Sequence, residues 1–537
     1  MIQTASGPGI NRGMRAFRKV PVLVLLAIAA ILAAAFVVAG CGGSSSGGSG
    51  GEPASLVPAK SLVYIEASLA PEAKVSEEIN ELTQKVFGIE NVGDFVAEEL
   101  EKLATEDNEK IDFGEEIEPW VGEKAGLFLK EIHGDSEFTG GGFAIETTNS
   151  GEAEEFLEKL ADQGDEKAEE GEFEGDKYWV QPDDESVVGV IGDYLAYGET
   201  KAYFEEMVEN AEGGESLAES EKFTKAMEAA PEDGVGRVYV DLGGSIQSVD
   251  AETKAFFSLI QIEPQNSTLV GTIIPGSEQV ELDLTTDIGK GAVQSGDASK
   301  LLESLPATAV LGFATPDFGK SFSEGVHGFS ETGVPGQFEP GELEAALEAI
   351  GINLESLGKN LGDAGGFVEG SSIDDIGGAM VIETANAAEA KQLIGGIGLV
   401  LRATGTEGVT ATNGEITGFS VHTKKLGKQP LIVGSAGEEI VIAYGAKAAA
   451  RALKSSTKTL GSTADFEAAK GALGSTPISV FIDGRPGLGL LEEALSPEEA
   501  EKLASARPYL EKIAYVAVGS EKKGQTTTAK VIVGLPK

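Results

Sequence analysis

Apolar and polar positions alternate from Phe143 to Glu146, the period of a strand, and then the period changes. From Asn149 onward Ala153, Phe156, Leu157 and Leu160 recur at i, i+3, i+4 and i+7, one apolar stripe of a helix. Asn149 can cap the first free amides, and Glu152 three residues later can reach back. The same change of period returns further on. "GFAIETTNSGEAEEFLEKL" from Gly142 reappears as "AMVIETANAAEAKQLIGGI" from Ala379. There the cap residues are Asn386 and Glu389, and the stripe is Ala390, Leu393, Ile394 and Ile397. "KYWVQPDDESVVGVIGDYLAYG" reads as strands around a Pro-Asp-Asp turn, and "ETKAYFEEMVENA" after it reads as a helix. "STLVGTIIPGSEQVELDLTTD" and "AYVAVGSEKKGQTTTAKVIVGL" read as closing hairpins around Gly-Ser-Glu turns. Hairpins make neighbours antiparallel, and helices then cover one face of the sheet. The predicted class is α+β, built from antiparallel strand–strand–helix modules.

Other matches between the halves keep chain order. Pro58-Ala59 pairs with Pro306-Ala307, Ile111 with Ile352 and Gly122 with Gly362. Ala196-Tyr197-Gly198 pairs with Ala443-Tyr444-Gly445, Phe223 with Phe466, Asp241 with Asp483, and Gly276-Ser277-Glu278 with Gly519-Ser520-Glu521. An ordered series of this kind predicts two tandem copies of one unit. Copy one is expected over 53–290, a linker over 291–300 and copy two over 301–537.

Charge separates the copies while the apolar pattern holds. Residues 51–300 contain 59 acidic and 17 basic side chains, and residues 301–537 contain 29 and 20. So acidic a surface repels phosphate backbones, and nucleic acid is excluded as a partner class. Anionic headgroups are disfavoured for the same reason.

Residues 1–40 open with Arg12, Arg15, Arg18 and Lys19, hold no acid, and run into the apolar stretch Val20–Val38. Basic residues ahead of an apolar run form an export signal. The run is also long enough to span a bilayer, so a single N-terminal transmembrane helix is the alternative. Cys41 is the chain's one cysteine. Val38-Ala39-Gly40-Cys41 resembles the lipobox of bacterial lipoproteins. That resemblance implies a diacylglyceryl thioether on Cys41 and cleavage before it. Residues 41–52 are a Gly/Ser tether. The expected location is the outer face of the cell membrane, lipid-anchored. With Cys41 acylated, no thiol is left for a disulfide.

Motifs that carry chemistry are sparse. His133, His327 and His422 show no metal-ligand spacing. Asp112-Phe113-Gly114 and Asp317-Phe318-Gly319 lack the other kinase elements. Ser356 to Lys359 and Ser455 to Lys458 match S-x-x-K without its partner motifs. Asp183, Asp184 and Glu185 are the candidate calcium ligands, but no EF-hand loop surrounds them. Trp120 and Trp179 are the candidate ligand-binding aromatics. "GVHGFSETGVPGQFEPGE", Gly325 to Glu342, reads as the longest Gly/Pro-rich loop and a contact surface. No cofactor and no enzymatic activity are expected. The expected function is a non-catalytic envelope lipoprotein, a binding or interaction protein whose partner is an envelope protein or a small ligand, with its specificity left open. A solute- or cation-binding lipoprotein, with its ligand between the copies, is the alternative.

Export signal, lipobox and duplicated unit together resemble the bacterial lipoproteins grouped as domain of unknown function 3352. "VPAKSLVYIEA", "IDFGEEIEPWVGEKAG" with Pro119-Trp120 before Gly122, and "IETTNSGEAEEFLEKL" carry the likeness. It covers residues 53 to about 537. The second copy has Lys359-Asn360 in place of the Pro-Trp pair. The resemblance implies location and fold, and no activity.

Overall fold

The computed structural model describes residues 52–89, 113–133, 137–163, 168–180, 186–231, 234–248, 267–287, 296–332, 341, 345, 348, 353–403, 405–453, 458–495, 497–524 and 526–536. Val38, Ala39, Gly40 and Cys41 lie outside the described residues, as do Asp183, Asp184 and Glu185 and the Pro-Asp-Asp turn. Two compact units result. The first holds residues up to Asp250 with Pro264–Ser277 and Leu282–Asp287, and the second holds Glu278–Glu281 and Ile288–Lys537.

The first unit contains β1 (Val63–Ser68), β2 (Val121–His133), β3 (Glu137–Thr147), β4 (Glu169–Phe173), β5 (Asp176–Val180), β6 (Val187–Ile191), β7 (Tyr194–Gly198), β8 (Gly236–Asp241), β9 (Thr268–Gly276) and most of β10 (Gln279–Asp287). Its strand order is β4-β5-β6-β7-β3-β2-β1-β8-β9-β10, and the ladders from β4 through β9 are antiparallel. The second unit contains β11 (Leu311–Thr315), β12 (Leu361–Glu369), β13 (Gly377–Thr384), β14 (Val409–Thr412), β15 (Thr417–Val421), β16 (Leu431–Ala436), β17 (Glu439–Tyr444), β18 (Ile478–Asp483), β19 (Tyr515–Lys523) and β20 (Thr526–Gly534). Here the order is β14-β15-β16-β17-β13-β12-β11-β18-β19-β20, again antiparallel. The architecture is mixed α+β.

Helices follow the strand pairs. Ser150–Gln163 leaves β3, with Asn149 Oδ1 accepting from the Glu152 amide at 3.4 Å. Ala387–Ala403 leaves β13, with Asn386 Oδ1 accepting from the Ala388 and Glu389 amides at 3.0 and 3.3 Å. The asparagines therefore cap both helices as expected. Lys201–Ala211 and Glu221–Glu228 follow β7, and their caps Thr200 and Ser220 accept from Tyr203 and Phe223 amides.

The expectation that helices cover one sheet face is corrected. Alternate residues of the same strands feed different cores. Ala144, Tyr178, Val187, Ile191, Tyr194 and Ala196 pack against Phe204, Met207 and Val208 of helix Lys201–Ala211. Their neighbours Phe143, Trp179, Val188, Val190 and Leu195 pack with Ala153 and Leu157 of helix Ser150–Gln163. A sheet buried on both faces needs strands apolar at every position, and "VVGVI" and "YLAYG" are such runs. Each fully buried Leu, Val or Phe contributes about 1.5–3 kcal/mol, so both layers matter to stability.

Three local readings are also corrected. Helix Phe318–Thr332 takes up the first half of the supposed long loop. Gly276-Ser277-Glu278 does sit at the β9–β10 turn, but Gly519-Ser520-Glu521 lies inside β19, with Gly519 opposite Lys530. The second hairpin turns instead at Gly524, whose φ of 67° suits glycine. Gly142 lies opposite Gly198, whereas Ala379 lies opposite Ala443. The two Ala-Tyr-Gly triplets are therefore two rungs out of step. The tight turns Gly192-Asp193 and Gly437-Glu438, with glycines at φ 56° and 62°, are the features that coincide.

Candidate functional site

In the first unit, loop Leu56–Lys60 is tied to loop Gly214–Leu217. Ala59 N–H donates to Glu215 O at 3.1 Å and Leu217 N–H to Val57 O at 2.7 Å. Asn210, buried at the end of its helix, donates Nδ2 to Leu56 O at 3.0 Å. Beside this junction β2 projects Lys130, which meets both carboxylate oxygens of Glu206 at 2.8 and 2.6 Å. Its Nζ also lies 5.4 Å from the Tyr203 ring centre, a favourable cation–π distance. Beside them lies an open recess of about 260 Å³ with Lys60, Lys130, Glu206, Glu209, Asn210 and Glu215 on its walls. Carboxylates outnumber ammonium groups there, and the wall carries no hydroxyl or thiol. Such a recess can hold a polar or cationic group by charge.

At the same fold position in the second unit the charges are reversed. Glu369, nearly buried at the end of β12, is paired with Arg451 and accepts from Thr308 Oγ1 at 2.9 Å. Arg451 also donates to Thr308 Oγ1 at 3.1 Å.

The structure brings Trp120 and Trp179 together, but inside the core. They are 3% and 4% exposed and share one apolar cluster with Ala153, Leu157 and Leu195. Trp120 Nε1 donates to Glu116 O at 2.6 Å, so its polar edge is satisfied. In the second unit Asn360 precedes β12 as Trp120 precedes β2, and it bonds Ser356 Oγ at 3.1 Å and Glu389. Lys359 pairs with Glu355 at 2.7 Å along its helix, so that S-x-x-K match lies on an exposed helix surface. His327 lies in helix Phe318–Thr332, and His422 follows β15. Among the described residues no group of three or more His, Cys, Asp or Glu is placed to hold a metal.

Sequence reading missed a second difference, in which an ion pair of the first unit gives way to two carboxylates in the second. Asp241 ends β8 and accepts from Lys222 at 2.5 Å and from the Gly244 amide at 2.8 Å. Asp483 ends β18, and where the first unit has Lys222 the second has Asp465. Burial, then the Asp465 carboxylate, pushes Asp483's carboxyl above the ordinary carboxylate range. Burial and the opposing Glu383 raise Glu439 likewise. A raised folded value means the contribution is full below the unfolded value of about 3.9 and is lost as pH rises through the folded value. Asp483→Asn is therefore expected to raise stability at pH 7 and leave it unchanged near pH 3.5. Asp241→Asn, which weakens the Lys222 pair, is expected to lower it at pH 7. Each effect is about 0.5–1 kcal/mol because these pairs are partly exposed. Thermal melts at the two pH values check both signs, and a pH-independent gain from Asp483→Asn would contradict the assignment.

Fold and site thus define an antiparallel α+β protein whose units carry one ion pair at matching positions with exchanged charges. The chain belongs to the protein family of unknown function DUF3352, whose model matches residues 20–535. No curated protein matches it. Crystal form III of TP0453 shows a TM-score of 0.26 and 11% identity over 45% of this chain and 82% of that one. Crystal form I of TP0453 gives 0.25 and 10% over 45% and 81%. Likeness at that level supports no reading of the site. Among the described residues no helix is long and apolar enough to cross a membrane.

Proposed function

We propose that this chain is a non-catalytic lipoprotein of the cell envelope. A lipid on Cys41 holds it to the outer face of the membrane, and it offers protein surfaces to other envelope components. The observation that carries the reading is Val38-Ala39-Gly40-Cys41, set between a basic apolar start and a Gly/Ser tether. Two acyl chains hold stably where one binds reversibly, since each buried methylene contributes about 0.8 kcal/mol. The tether has no side chains to pack, so it lifts the folded part clear of the headgroups.

The same proposal includes a tandem duplication. Phe128 lies opposite Gly142 and Tyr64, and Phe367 lies opposite Ala379 and Gly312. Lys130 and Glu369 each stand two residues beyond those phenylalanines. Glu206 and Arg451 are each the sixth residue of the helix that follows β7 or β17. An ion pair reversed at both partners is what compensated divergence from one ancestor leaves. Independent surfaces would have no reason to match.

Intact mass of the membrane-extracted chain tests the anchor. A mature chain starting at Cys41 with added diacylglycerol is expected, and Cys41→Ser should leave an unprocessed, unlipidated precursor. A chain that keeps residues 1–40 and a free thiol would overturn it.

A further inference from the structure

The strands β4 and β14 stand at the same end of the two strand orders, and their chemistry is opposite. β4 carries Glu169, Glu170 and Glu172, all exposed. Like charges brought opposite one another destabilise a ladder, so this edge rejects a second strand. β14 is Val409-Thr410-Ala411-Thr412, with no charge and three β-branched residues. The surroundings follow suit. Residues 151–200 hold 17 acidic and 3 basic side chains, whereas residues 401–450 hold 4 and 5. In a chain of net charge −47, β14 lies in a stretch where two copies can approach without strong repulsion.

The register says which backbone groups are free to pair. Thr410 lies opposite Ser420 and Thr412 opposite Gly418. His422 N–H donates to Gly408 O at 3.1 Å, so Gly408 turns its backbone groups toward β15. Antiparallel alternation turns Thr410 and Thr412 the same way and points Val409 and Ala411 outward. Among the described residues β15 is the one strand in register with β14.

We propose that β14 is a self-pairing edge that joins two copies of this chain across a twofold axis at Thr410. Val409 of each copy pairs with Ala411 of the other, and each pair exchanges two backbone hydrogen bonds. An antiparallel pairing centred on one residue is isologous and closes, so the product is a dimer and not a filament. Thr410 then faces its own counterpart at a non-hydrogen-bonded site, where Cα atoms lie about 4.5 Å apart. That spacing lies within the range a disulfide accepts. Lipid anchoring is not required for any step of this argument.

The test uses the full chain in detergent. Thr410→Cys is expected to form a disulfide-linked dimer under mild oxidation. Glu170→Cys on β4 and the unaltered chain, which reports any reaction at Cys41, should stay monomeric on the same gel. Adding Ala411→Pro to Thr410→Cys removes an outward N–H while sparing the β14–β15 ladder, as an edge strand tolerates. Crosslinking should then slow at least tenfold. Sedimentation of the unaltered chain gives a measure free of mutation, and a dimer is expected at tens of micromolar. A monomer throughout that range overturns the proposal, as does a crosslink by Thr410→Cys no faster than that by Glu170→Cys or indifferent to Ala411→Pro. Capture of a different protein by the Thr410→Cys variant in cells, with the chain itself monomeric, would replace self-pairing by addition of a foreign strand.

Discussion

Arg237→Ala is expected to cost the first unit about 3–5 kcal/mol, the range for removing one partner of a buried ion pair. Arg237 on β8 and Glu66 on β1 occupy one rung of the central ladder. Nη2 and Nε lie 2.6 and 3.2 Å from a single Glu66 oxygen. The side chains are 19% and 11% exposed, so water screens them little. The other oxygen has the hydroxyl of fully buried Tyr64 at 3.4 Å, a weak donor at that distance. Burial, with Glu66 beside it, keeps that phenol well above its ordinary range, so it cannot ionise to take part. Without the guanidinium, a carboxylate stays buried beside one long hydrogen bond. Removing both charges is a different matter. Counted from the Tyr64–Tyr239 and Gly312–Phe481 rungs, Ala314 and Ser479 hold the corresponding sequence positions of the second unit, so Glu66→Ala with Arg237→Ser removes both charges with side chains the second unit carries there. The double variant is expected to recover most of the loss. Denaturant unfolding of the full chain with a probe in the first unit measures it. Additive losses would mean that Glu66 does not depend on Arg237.

Much of this was readable from residue patterns, and the failures have physical causes. The strand-to-helix change at Asn149 and Asn386 was legible because a cap and a periodic stripe are both local. The class followed from hairpins for the same reason. The second covered face was missed because "VVGVI" has no alternation to read, and a short apolar run does not say which of its faces a distant helix will cover. The C-terminal part of helix Phe318–Thr332, from Gly325 on, reads as loop because Gly325 and Gly328 suggest turns, yet a propensity cost of about 1 kcal/mol per glycine does not prevent a helix there. The Ala-Tyr-Gly and Gly-Ser-Glu triplets misled because identity of three residues says nothing about register. Trp120 and Trp179 stood out as rare residues, yet rarity does not distinguish a core aromatic from a ligand platform. The reversed pairs Lys130–Glu206 and Glu369–Arg451 could not be found without the ladders, since partners more than 70 residues apart carry no local signal.

Leu302→Ala is expected to cost about 2–5 kcal/mol, because Leu302 is fully buried and its loss opens a cavity. The neighbouring strand shows how this core could be refilled. A Cβ added at Gly312 would come within 2.9 Å of Leu302 Cδ1, 3.1 Å of Leu460 Cδ2 and 3.3 Å of Leu305 Cδ1. The first unit solves the same space in the opposite sense. Tyr64 stands where the second unit has Gly312, and Ala54 and Val57 stand where it has Leu302 and Leu305. One ring from the strand replaces two aliphatic tips from the preceding segment. A neighbouring glycine keeps this register in both units. At Gly126 an added Cβ would meet Pro53 at 2.8 Å and Tyr64 at 2.9 Å, and at Gly365 it would meet Leu301 at 2.7 Å. Gly312→Phe alone should therefore be ruinous, since a close-packed core cannot yield that volume. In a Leu302→Ala, Leu305→Val background the same ring enters space already vacated. Phenylalanine is chosen over tyrosine because Ala314 offers no carboxylate to a hydroxyl there. The triple variant is expected to be more stable than Gly312→Phe by at least the loss Leu302→Ala causes alone, a coupling that independent sites would not show. Chemical denaturation of the four chains gives the coupling directly. If Gly312→Phe is equally damaging in both backgrounds, the two cores are not alternative packings of one frame.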